Sequence, residues 1–426
     1  MSETVISVFG LGKVGLPLAC AFLDAGYKVI GVDKNPEVVE KLNQGASHID
    51  EPGVDEILKR AVSNGMFTAT VDGAWASQNS NFKIVAVPLI LTGNGQPDFT
   101  YLLEATESIA EGLKRGDVYV TETTLPPGTT SKILVPILEK TGLKAGRDFY
   151  VSHAPERVMS GRVLEDFKTY PKIIGGVNIE SAIKTKEVYE KVFTKGIIIV
   201  RDCKTAEAVK VFEGIYRDVN IALANELALV CEQIGIDFWD VRLAANTQPY
   251  CHIHEAGAGV GGHCIPVYPH FIISQAETKL IKMAREINSS MPEKLALRTL
   301  ELSRKIGLDN PVVGVLGLAF RPGVKEHRYS PTLALISRLK ALGLRVYCND
   351  PLYTDEEIEK ITGVEGARLE PLLRRADVIV LVTAHKDFKD VEIPQNVKLI
   401  VDGRALWRGR SFKQKYYCIG IGDSGG

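Results

Sequence analysis

The chain has 426 residues, of which 45% are hydrophobic and 24% are charged, and its formal net charge is −1. This length predicts two or three domains, and the balanced charge argues against nucleic acid or a membrane surface as a partner. No apolar run is long enough to span a bilayer, and the 7 scattered cysteines favour a reducing, cytoplasmic compartment over a disulfide framework or a metal site.

The first motif along the chain is a glycine turn between two predicted strands. An apolar run precedes Gly10-x-Gly12-x-x-Gly15, a helical pattern follows, and a second apolar run ends at Asp33. These glycines permit a tight turn, close approach of a pyrophosphate and close packing of a helix on a strand. An acid after the second strand binds ribose and repels a 2′-phosphate, so the motif predicts NAD rather than NADP. The alternative interpretation is a tight turn without a ligand.

Further apolar runs alternate with helical stretches, which predicts a parallel, doubly wound sheet. These runs lie at 82–87, 117–121, 149–152 and 171–175. Polar loops follow two of them and carry Thr124, Glu156 and Arg157. Ligands of open α/β sheets bind at the carboxyl ends of strands, so these three residues are candidates for a site. The alternative for each is ordinary hydrogen bonding within a loop.

A long helix is predicted from Thr205 to about Gly235, because apolar residues recur there every three or four positions. The opposite face of this helix carries Lys210 and Arg217. Lys210 is a candidate for stabilising an oxyanion. The commoner fate of such a charged face is solvation with salt bridges.

One cysteine follows a glycine-rich loop, in which the backbone can approach a ligand closely. This residue is Cys264, directly after the run Gly257–Gly262 and His263. A thiol becomes a nucleophile when neighbouring cations or dipoles favour its thiolate. The alternative is a small buried hydrophobic side chain, as most free cysteines are. A second helical stretch is predicted after the loop, from about 276 to 304, with a break at Pro292.

Another strand and glycine turn open the C-terminal part, at Pro311–Phe320. Arg321 and Arg328 follow it and precede Ser330-Pro331, a predicted N-cap and first helical residue. Cations at the start of a helix suit a pyrophosphate. The glycine-rich tail from Ile419 is expected to be frayed.

The predicted fold class is therefore α/β, with two Rossmann-like doubly wound domains joined by a central, mainly helical domain. The predicted bounds are 1–203 for a domain that binds NAD, 204–305 for the central domain with the cysteine loop, and 306–426 for a second nucleotide-binding domain.

Together these motifs resemble the UDP-glucose/GDP-mannose dehydrogenase family over nearly the full chain, and most nearly its UDP-N-acetyl-D-mannosamine dehydrogenase branch. The motifs that carry the resemblance are the first glycine turn, Leu125–Thr130, Pro155–Val158, Arg217–Glu226, Gly261–Pro266 and Asp402–Arg404. The run Pro-Glu-Arg-Val is similar to that of the enzymes for acetamido sugars.

The resemblance implies four-electron oxidation of the C6 alcohol of a UDP-N-acetylhexosamine to the uronate by NAD, for polysaccharide biosynthesis. UDP-N-acetyl-D-mannosamine is the expected substrate. Cys264 would carry the thiohemiacetal and the thioester, with Lys210, Glu156 and Thr124 as further catalytic residues. The implied cofactor contacts are Gly10, Gly12, Val14, Gly15, Asp33, Thr124 and Arg328. The implied substrate contacts are Arg157, Val158, Lys210, Arg217, Gly261, Phe320, Arg321 and Arg404. A homodimer through the central helix is also implied.

Two departures from the family pattern affect the implied chemistry. The asparagine expected one turn after Lys210 is Gly214, and the aspartate expected four residues after Cys264 is Tyr268. Alternatives therefore remain: a UDP-glucose 6-dehydrogenase, a two-electron dehydrogenase, and a nucleotide-sugar-binding protein without catalytic activity. Smaller departures are Leu89, Gln248, Tyr250 and Ala256.

Overall fold

The computed structural model describes residues 4–93, 95–159 and 161–424, which divide into two units between Glu213 and Gly214. The boundary lies inside a long helix, Cys203–Ile234. This helix confirms the prediction of a helix from Thr205 to about Gly235.

The first unit is built on an eight-stranded sheet and a small separate hairpin. Its strands are β1 (Val5–Phe9), β2 (Lys28–Val32), β3 (Phe67–Thr70), β4 (Phe82–Val85), β5 (Ile90–Leu91), β6 (Pro97–Asp98), β7 (Val118–Thr121), β8 (Tyr150–His153), β9 (Lys172–Gly176) and β10 (Ile197–Val200). The order in the large sheet is β10-β9-β8-β7-β4-β1-β2-β3, and β5 pairs with β6. In the large sheet, neighbouring strands run parallel from β8 through β7, β4, β1 and β2 to β3, as the alternation of apolar and helical stretches predicted.

Helices connect these strands and cover both faces of the sheet. They are α1 (Gly15–Asp24), α2 (Pro36–Asn43), α3 (Val54–Ser63), α4 (Gly73–Gln78), α5 (Thr100–Glu111), α6 (Val135–Leu138), α7 (Val163–Asp166) and α8 (Ile179–Tyr189). The long helix α9 (Cys203–Ile234) follows β10 and continues into the second unit. Ile6 and Val8 project into one apolar cluster and Phe9 into another, as the two-residue period of a strand requires. The sheet is therefore doubly wound.

The orientation of β9 corrects the expectation of an all-parallel sheet. β9 runs antiparallel to β8, and β10 follows β9 in parallel. Residues 154–171 join β8 to β9, and their described part contains the four-residue helix α7 instead of a full crossover helix. Without a crossover the chain returns in the opposite direction, which produces a mixed sheet at this edge.

The second unit contains a seven-stranded sheet. Its strands are β11 (Val312–Leu316), β12 (Arg345–Asn349), β13 (Glu365–Gly366), β14 (Val378–Leu381), β15 (Leu399–Asp402), β16 (Lys415–Cys418) and β17 (Gly422–Ser424), in the order β13-β12-β11-β14-β15-β16-β17. Its further helices are α10 (Phe238–Ala245), α11 (Tyr268–Ile273), α12 (Leu280–Lys305), α13 (Pro331–Ala341), α14 (Asp355–Thr362) and α15 (Leu369–Arg375). Val313 and Val315 face one apolar cluster and Leu316 the other, so this sheet is doubly wound as well. The segment between the two large sheets is mainly helical.

Two local predictions about the second unit are wrong. Pro292 lies inside α12 and does not break it, because Met291, Pro292 and Leu295 are buried and their packing holds the helix across the missing N–H. The tail beyond Ile419 is partly ordered, since β17 pairs antiparallel with β16. The last two residues of the predicted frayed tail lie outside the described residues.

Among the described residues, no helix is both long enough and apolar enough to cross a bilayer. No group of three or more His, Cys, Asp or Glu side chains within residues 4–93, 95–159 and 161–424 could hold a metal ion.

Candidate active site

The glycine turn of the first unit forms an open cradle. Gly10 has φ +89°, and a Cβ there would come within 3.0 Å of the Ala86 carbonyl. A Cβ at Gly15 would overlap the carbonyl oxygen of Gly10, whereas a Cβ at Gly12 would have no atom of the described residues within 4 Å. Packing therefore requires glycine at Gly10 and Gly15, and Gly12 leaves the turn open to a ligand.

The groups around this opening suit a dinucleotide. No side chain caps the start of α1 in the described part of the chain, so its first amides can bind a phosphate. Asp33 directly follows β2, and its carboxylate accepts N–H bonds from Leu11 at 3.1 Å and from Asn35 at 3.0 Å. Cradle, helix start and acid together fit the pyrophosphate and ribose of NAD. The predicted contact with Val14, the N-cap residue, stays a prediction.

Glu207 ties the loop after β7 to helix α9. Its carboxylate accepts the N–H of Gly128, and the N–H and hydroxyl of Thr130 at 2.7 and 2.6 Å. Burial raises the pKa of Glu207 to about 7, against the effect of these donors. The loop carries the half-buried Thr124, and Lys210 follows Glu207 by about one helical turn. Glu207 thus holds together the two segments that bear these predicted catalytic residues.

Glu156 is a buried carboxylate with three donors. One oxygen accepts the N–H groups of Arg157 at 2.5 Å and Val158 at 3.0 Å, and the other accepts Lys172 Nζ at 2.8 Å. The carboxylate is thereby oriented, and it can accept about one further hydrogen bond.

Lys172 connects Glu156 to a second buried carboxylate. Its ammonium lies 2.5 Å from Glu122, which also accepts the hydroxyl of Tyr189 at 2.6 Å. The side chains of Lys172 and Glu122 are 3% and 0% exposed, so this is a charged cluster within the core. Burial raises the pKa of Glu122 to about 7, against the attraction of Lys172.

The arginines predicted to contact the sugar nucleotide in this part of the chain differ in their surroundings. Arg157 donates to Glu213 at 2.8 Å and to the Pro171 carbonyl, and its guanidinium lies 5.1 Å from the Tyr170 ring centroid. Arg217 is exposed on α9. Their contacts with a substrate stay predictions.

The loop before Cys264 is braced by the segment after β11. The Gly262 N–H donates to the Arg328 carbonyl at 3.0 Å. A Cβ at Gly261 would lie 2.7 Å from Cβ of Phe320, and a Cβ at Gly262 would lie 2.9 Å from its ring. The second unit therefore brings together Cys264, Gly261, Phe320 and Arg328, all of which the sequence had singled out.

Cys264 differs from most of the other thiols in its exposure. It is half-buried, as is Cys251, while the remaining five cysteines are buried. Burial raises the pKa of Cys20 to about 12 and raises the pKa of Cys203 further. Such thiols stay protonated and unreactive. Cys264 on the glycine loop is thus one of the two cysteines that are not fully buried.

Two further arginines lie near the same loop. Arg404 donates to the Val382 carbonyl at 2.8 Å and to the Gly259 carbonyl at 3.1 Å. A Cβ at Gly257 would overlap its guanidinium, so Arg404 supports the glycine loop directly. Arg321 is half-buried, and its Nε–H has no hydrogen-bond partner among the described residues. A buried donor of this kind calls for an acceptor, which a phosphate or a uracil carbonyl would supply.

The two positions that depart from the family pattern contact each other. A Cβ at Gly214 would lie closer than 3.0 Å to Cδ2 of Tyr268 and 3.3 Å from its Cβ. Tyr268 is 7% exposed, and its N–H donates to the Cys264 carbonyl at 3.0 Å. The glycine thus leaves room for the tyrosine ring, and the two departures form one packing arrangement.

The structure divides the predicted catalytic residues between its units. Thr124, Glu156 and Lys210 belong to the first, and Cys264 belongs to the second. Arg328, predicted to contact NAD, also lies in the second unit, and that contact stays a prediction.

Sequence reasoning missed the residues that hold these groups in place. They are Glu122, Lys172, Tyr189 and Glu207. A weak signal existed for two of them, since Glu122 directly follows the buried strand β7 and Lys172 begins the buried strand β9.

The chain matches known proteins along nearly its full length. Models for the UDP-glucose/GDP-mannose dehydrogenase family match its NAD binding domain at residues 4–193, its central domain at 204–290 and its UDP binding domain at 314–409. UDP-N-acetyl-D-mannosamine dehydrogenase of Pyrococcus horikoshii is 39% identical over 98% of this chain and 99% of that protein. NDP-N-acetyl-D-galactosaminuronic acid dehydrogenase of Ralstonia solanacearum is 35% identical over 95% and 96%. A solved structure of the Pyrococcus horikoshii enzyme superposes with a TM-score of 0.90 at 37% identity, covering 98% of this chain and 100% of that one.

Proposed function

Because the chain belongs to the UDP-glucose/GDP-mannose dehydrogenase family, we propose that it oxidises the C6 alcohol of UDP-N-acetyl-D-mannosamine to the uronate. It is an NAD-dependent nucleotide-sugar dehydrogenase. The choice of sugar rests on the name of its 39% identical relative from Pyrococcus horikoshii. The observation that carries the reaction type is the half-buried Cys264 on a loop braced by Phe320 and Arg328.

The first unit supplies the groups that would hold the cofactor. Gly10, Gly12 and the first amides of α1 would bind the pyrophosphate, and Asp33 would bind the ribose. When bound, NAD accepts a hydride in each of the two oxidations. The carboxylate of Asp33 also disfavours a 2′-phosphate, which selects NAD over NADP.

Cys264 would convert the intermediate aldehyde into an acyl group. Its thiolate attacks the carbonyl carbon, a C–S bond forms, and the carbonyl electron pair moves to oxygen. The ammonium of Lys210 would stabilise this oxyanion. Loss of a hydride from the same carbon then leaves a thioester on Cys264.

Hydrolysis would release the product. Water adds to the thioester carbon, the C–S bond breaks, and the sulfur leaves as a thiolate. Thr124 would position the water, and the oriented carboxylate of Glu156 would assist the attack. In sum, one alcohol, one water and two NAD give one carboxylate, two NADH and three protons.

Substrate binding would draw on the second unit. Arg321 offers a buried Nε–H for which the described residues provide no acceptor, and this supports a UDP site beside Phe320. Gly261, Arg404, Val158 and Arg217 are the further contacts that we propose for the sugar nucleotide.

The exposed face of α9 supports a homodimer. Phe212, Tyr216, Leu223, Val230 and Ile234 recur along this helix and are 56%, 56%, 48%, 40% and 63% exposed in the single chain. A stripe of large apolar side chains of this kind marks a protein interface. Sedimentation velocity should give a dimer, and Leu223→Glu should give a monomer.

The test is a stoichiometry measured on a panel of sugars. The full chain is incubated with NAD and each of UDP-N-acetyl-D-mannosamine, UDP-N-acetyl-D-glucosamine, UDP-N-acetyl-D-galactosamine and UDP-glucose. We expect two NADH per UDP-N-acetyl-D-mannosamine and a uronate in the mass spectrum. Cys264→Ala should form no uronate, whereas Cys251→Ala, at the other half-buried thiol, should match the wild type.

Other outcomes would replace the proposal. One NADH per sugar, with full activity in Cys264→Ala, would identify a two-electron enzyme. Preference for UDP-glucose would assign UDP-glucose as the substrate in place of UDP-N-acetyl-D-mannosamine. No turnover of any sugar in the panel would reject the proposed function.

A further inference from the structure

His263 contacts both the candidate nucleophile and a carboxylate. Its imidazole makes a hydrogen bond with the side chain of Cys264, the next residue in the chain. Its Nδ1 lies 2.9 Å from Oε1 of Glu326. The result is a thiol, an imidazole and a carboxylate in series, the arrangement by which proteins activate a sulfur nucleophile.

The loop that carries the His263 and Cys264 side chains is bent and anchored. Gly262 has φ +89°, in the left-handed region, and it bends the chain directly before His263. Its N–H donates to the Arg328 carbonyl, so the bend is anchored.

Glu326 is held in place by the loop it belongs to. Its N–H donates to the Val324 carbonyl at 2.8 Å, and its carbonyl accepts the Phe320 N–H at 2.9 Å. The side chain is 16% exposed, compared with 48% for His263. The backbone of Glu326 is thus fixed by its own loop, while the imidazole reaches the carboxylate from the cysteine loop.

We propose that His263 is a further catalytic residue, whose imidazole holds the proton taken from the Cys264 thiol, and that Glu326 is the residue that positions this imidazole. The inference rests on the proposed function in that Cys264 is taken as the nucleophile.

The electrostatics of the pair agree with this assignment. The hydrogen bond to Cys264 and then the bond to Glu326 raise the pKa of His263 to about 10, against the opposing effect of burial. The imidazole is therefore protonated at neutral pH, and a neighbouring cation favours the thiolate.

The two neighbours of Glu326 in the chain, Lys325 and His327, have partners elsewhere. Lys325 donates to Glu357 at 2.7 and 2.8 Å, and Nδ1 of His327 lies 3.3 Å from the Tyr353 hydroxyl. The guanidinium of Arg321 lies 5.9 Å from the Phe320 ring centroid.

The proton balance is simple. The S–H bond breaks, its electron pair stays on sulfur, and the imidazole takes the proton. Because hydrolysis returns the sulfur as a thiolate, the imidazole keeps that proton through the cycle and stabilises the leaving sulfur. The three protons of the overall reaction come from the alcohol and the water.

The test is the pH dependence of Cys264 alkylation in the full chain. Iodoacetamide is added between pH 4.5 and 9.5, and the modified peptide is followed by mass spectrometry. The wild type should show an apparent thiol pKa at least one unit below that of an ordinary cysteine. His263→Gln should raise this value by at least one unit and slow alkylation at least tenfold at pH 6.5, with little change at pH 9.5.

Two further variants separate this role from a structural one. Glu326→Gln should shift the profile in the same direction by a smaller amount, because the imidazole stays but loses its anionic partner. His327→Gln is the matched control in the same loop and should keep the wild-type profile. Thermal unfolding of each variant confirms that it is folded.

An unchanged profile in folded His263→Gln would overturn the proposal, and so would an equal shift in His327→Gln. The alkylation readout needs neither sugar nor cofactor. If the wild type turns over none of the sugars in the panel, the proposed function fails. The pH profile of Cys264 alkylation would then still show whether His263 activates Cys264.

Discussion

Replacing Gly214 with alanine should destabilise the protein, although this exchange normally stabilises a helix. Gly214 lies within α9, where alanine is favoured over glycine by about 1 kcal/mol. The added Cβ would lie closer than 3.0 Å to Cδ2 of Tyr268, 3.2 Å from its Cγ and 3.3 Å from its Cβ. Because the base of the ring is crowded as well as its edge, rotation of the side chain does not remove the overlap.

The expected magnitude follows from two opposing effects. Overpacking of a buried site costs about 1–3 kcal/mol, and the upper part of that range applies because Tyr268 is 7% exposed. Subtracting the gain in helix propensity leaves a net loss of about 1–2 kcal/mol. For a unit of this size, each kcal/mol lowers the midpoint of thermal unfolding by about 2–4 °C.

A double-mutant cycle isolates the contact. The proteins compared are the wild type, Gly214→Ala, Tyr268→Ala and the double variant, each followed by thermal unfolding. Without the ring, the added methyl group has space, so Gly214→Ala should stabilise the Tyr268→Ala protein by up to about 1 kcal/mol. The effect of one methyl group should thus change sign between the two backgrounds.

The control for the cycle is Gly93→Ala, where an added Cβ would lie more than 4 Å from any contact in the described part of the chain. Its effect should be small and the same in both backgrounds. A higher unfolding temperature for Gly214→Ala than for the wild type, or an equal effect with and without the tyrosine ring, would contradict this prediction.

Three further predictions concern the cofactor, pH and a buried ion pair. Asp33→Asn should raise the KM for NAD about tenfold and weaken discrimination against NADP, because the carboxylate both binds ribose and repels a 2′-phosphate. An unchanged ratio of the KM for NADP to the KM for NAD would contradict this. Burial first, and Lys172 second, lower the pKa of His153 to about 3, so the unfolded chain binds this proton more readily than the folded one. The contribution of His153 to the free energy of unfolding should therefore be constant above about pH 6.5 and decrease toward pH 3 by at most about 1.4 kcal/mol per pH unit. When the free energy of unfolding is measured against pH, His153→Gln should lack this part of the slope. Arg285→Met should lower the free energy of unfolding by about 3–5 kcal/mol, measured by thermal unfolding. The reason is that the carboxylate of Asp218, which lies 2.5 Å from Arg285, would stay buried without its cation. Lys184→Met breaks the exposed pair with Glu187 and should cost less than about 1 kcal/mol, so equal losses would reject the argument.

The strands and the first glycine turn could be predicted because their signals are local. Gly10, Gly12 and Gly15 lie within six positions, and Asp33 follows the next apolar run, so one stretch of chain contains the whole motif. The long helix was equally accessible from its spacing. Such patterns report which face of an element is buried, which is a property of neighbouring residues.

The supporting contacts could not be predicted because their partners are distant in the chain. Glu207 binds Thr130 across 77 positions, and Lys172 binds Glu122 across 50. No periodicity links such pairs, and a single acid or lysine in an apolar segment has many alternative partners. The direction of β9 is a similar case, since it depends on how the chain returns after β8.

The sequence alone determined the fold class and the nucleotide motifs, and it singled out Cys264 as the candidate nucleophile, because these depend on residue type and short spacing. Only the tertiary structure decided what surrounds them. It set Glu326 beside His263 and the Tyr268 ring over Gly214, and a residue's charge state and available space depend on neighbours that folding brings together.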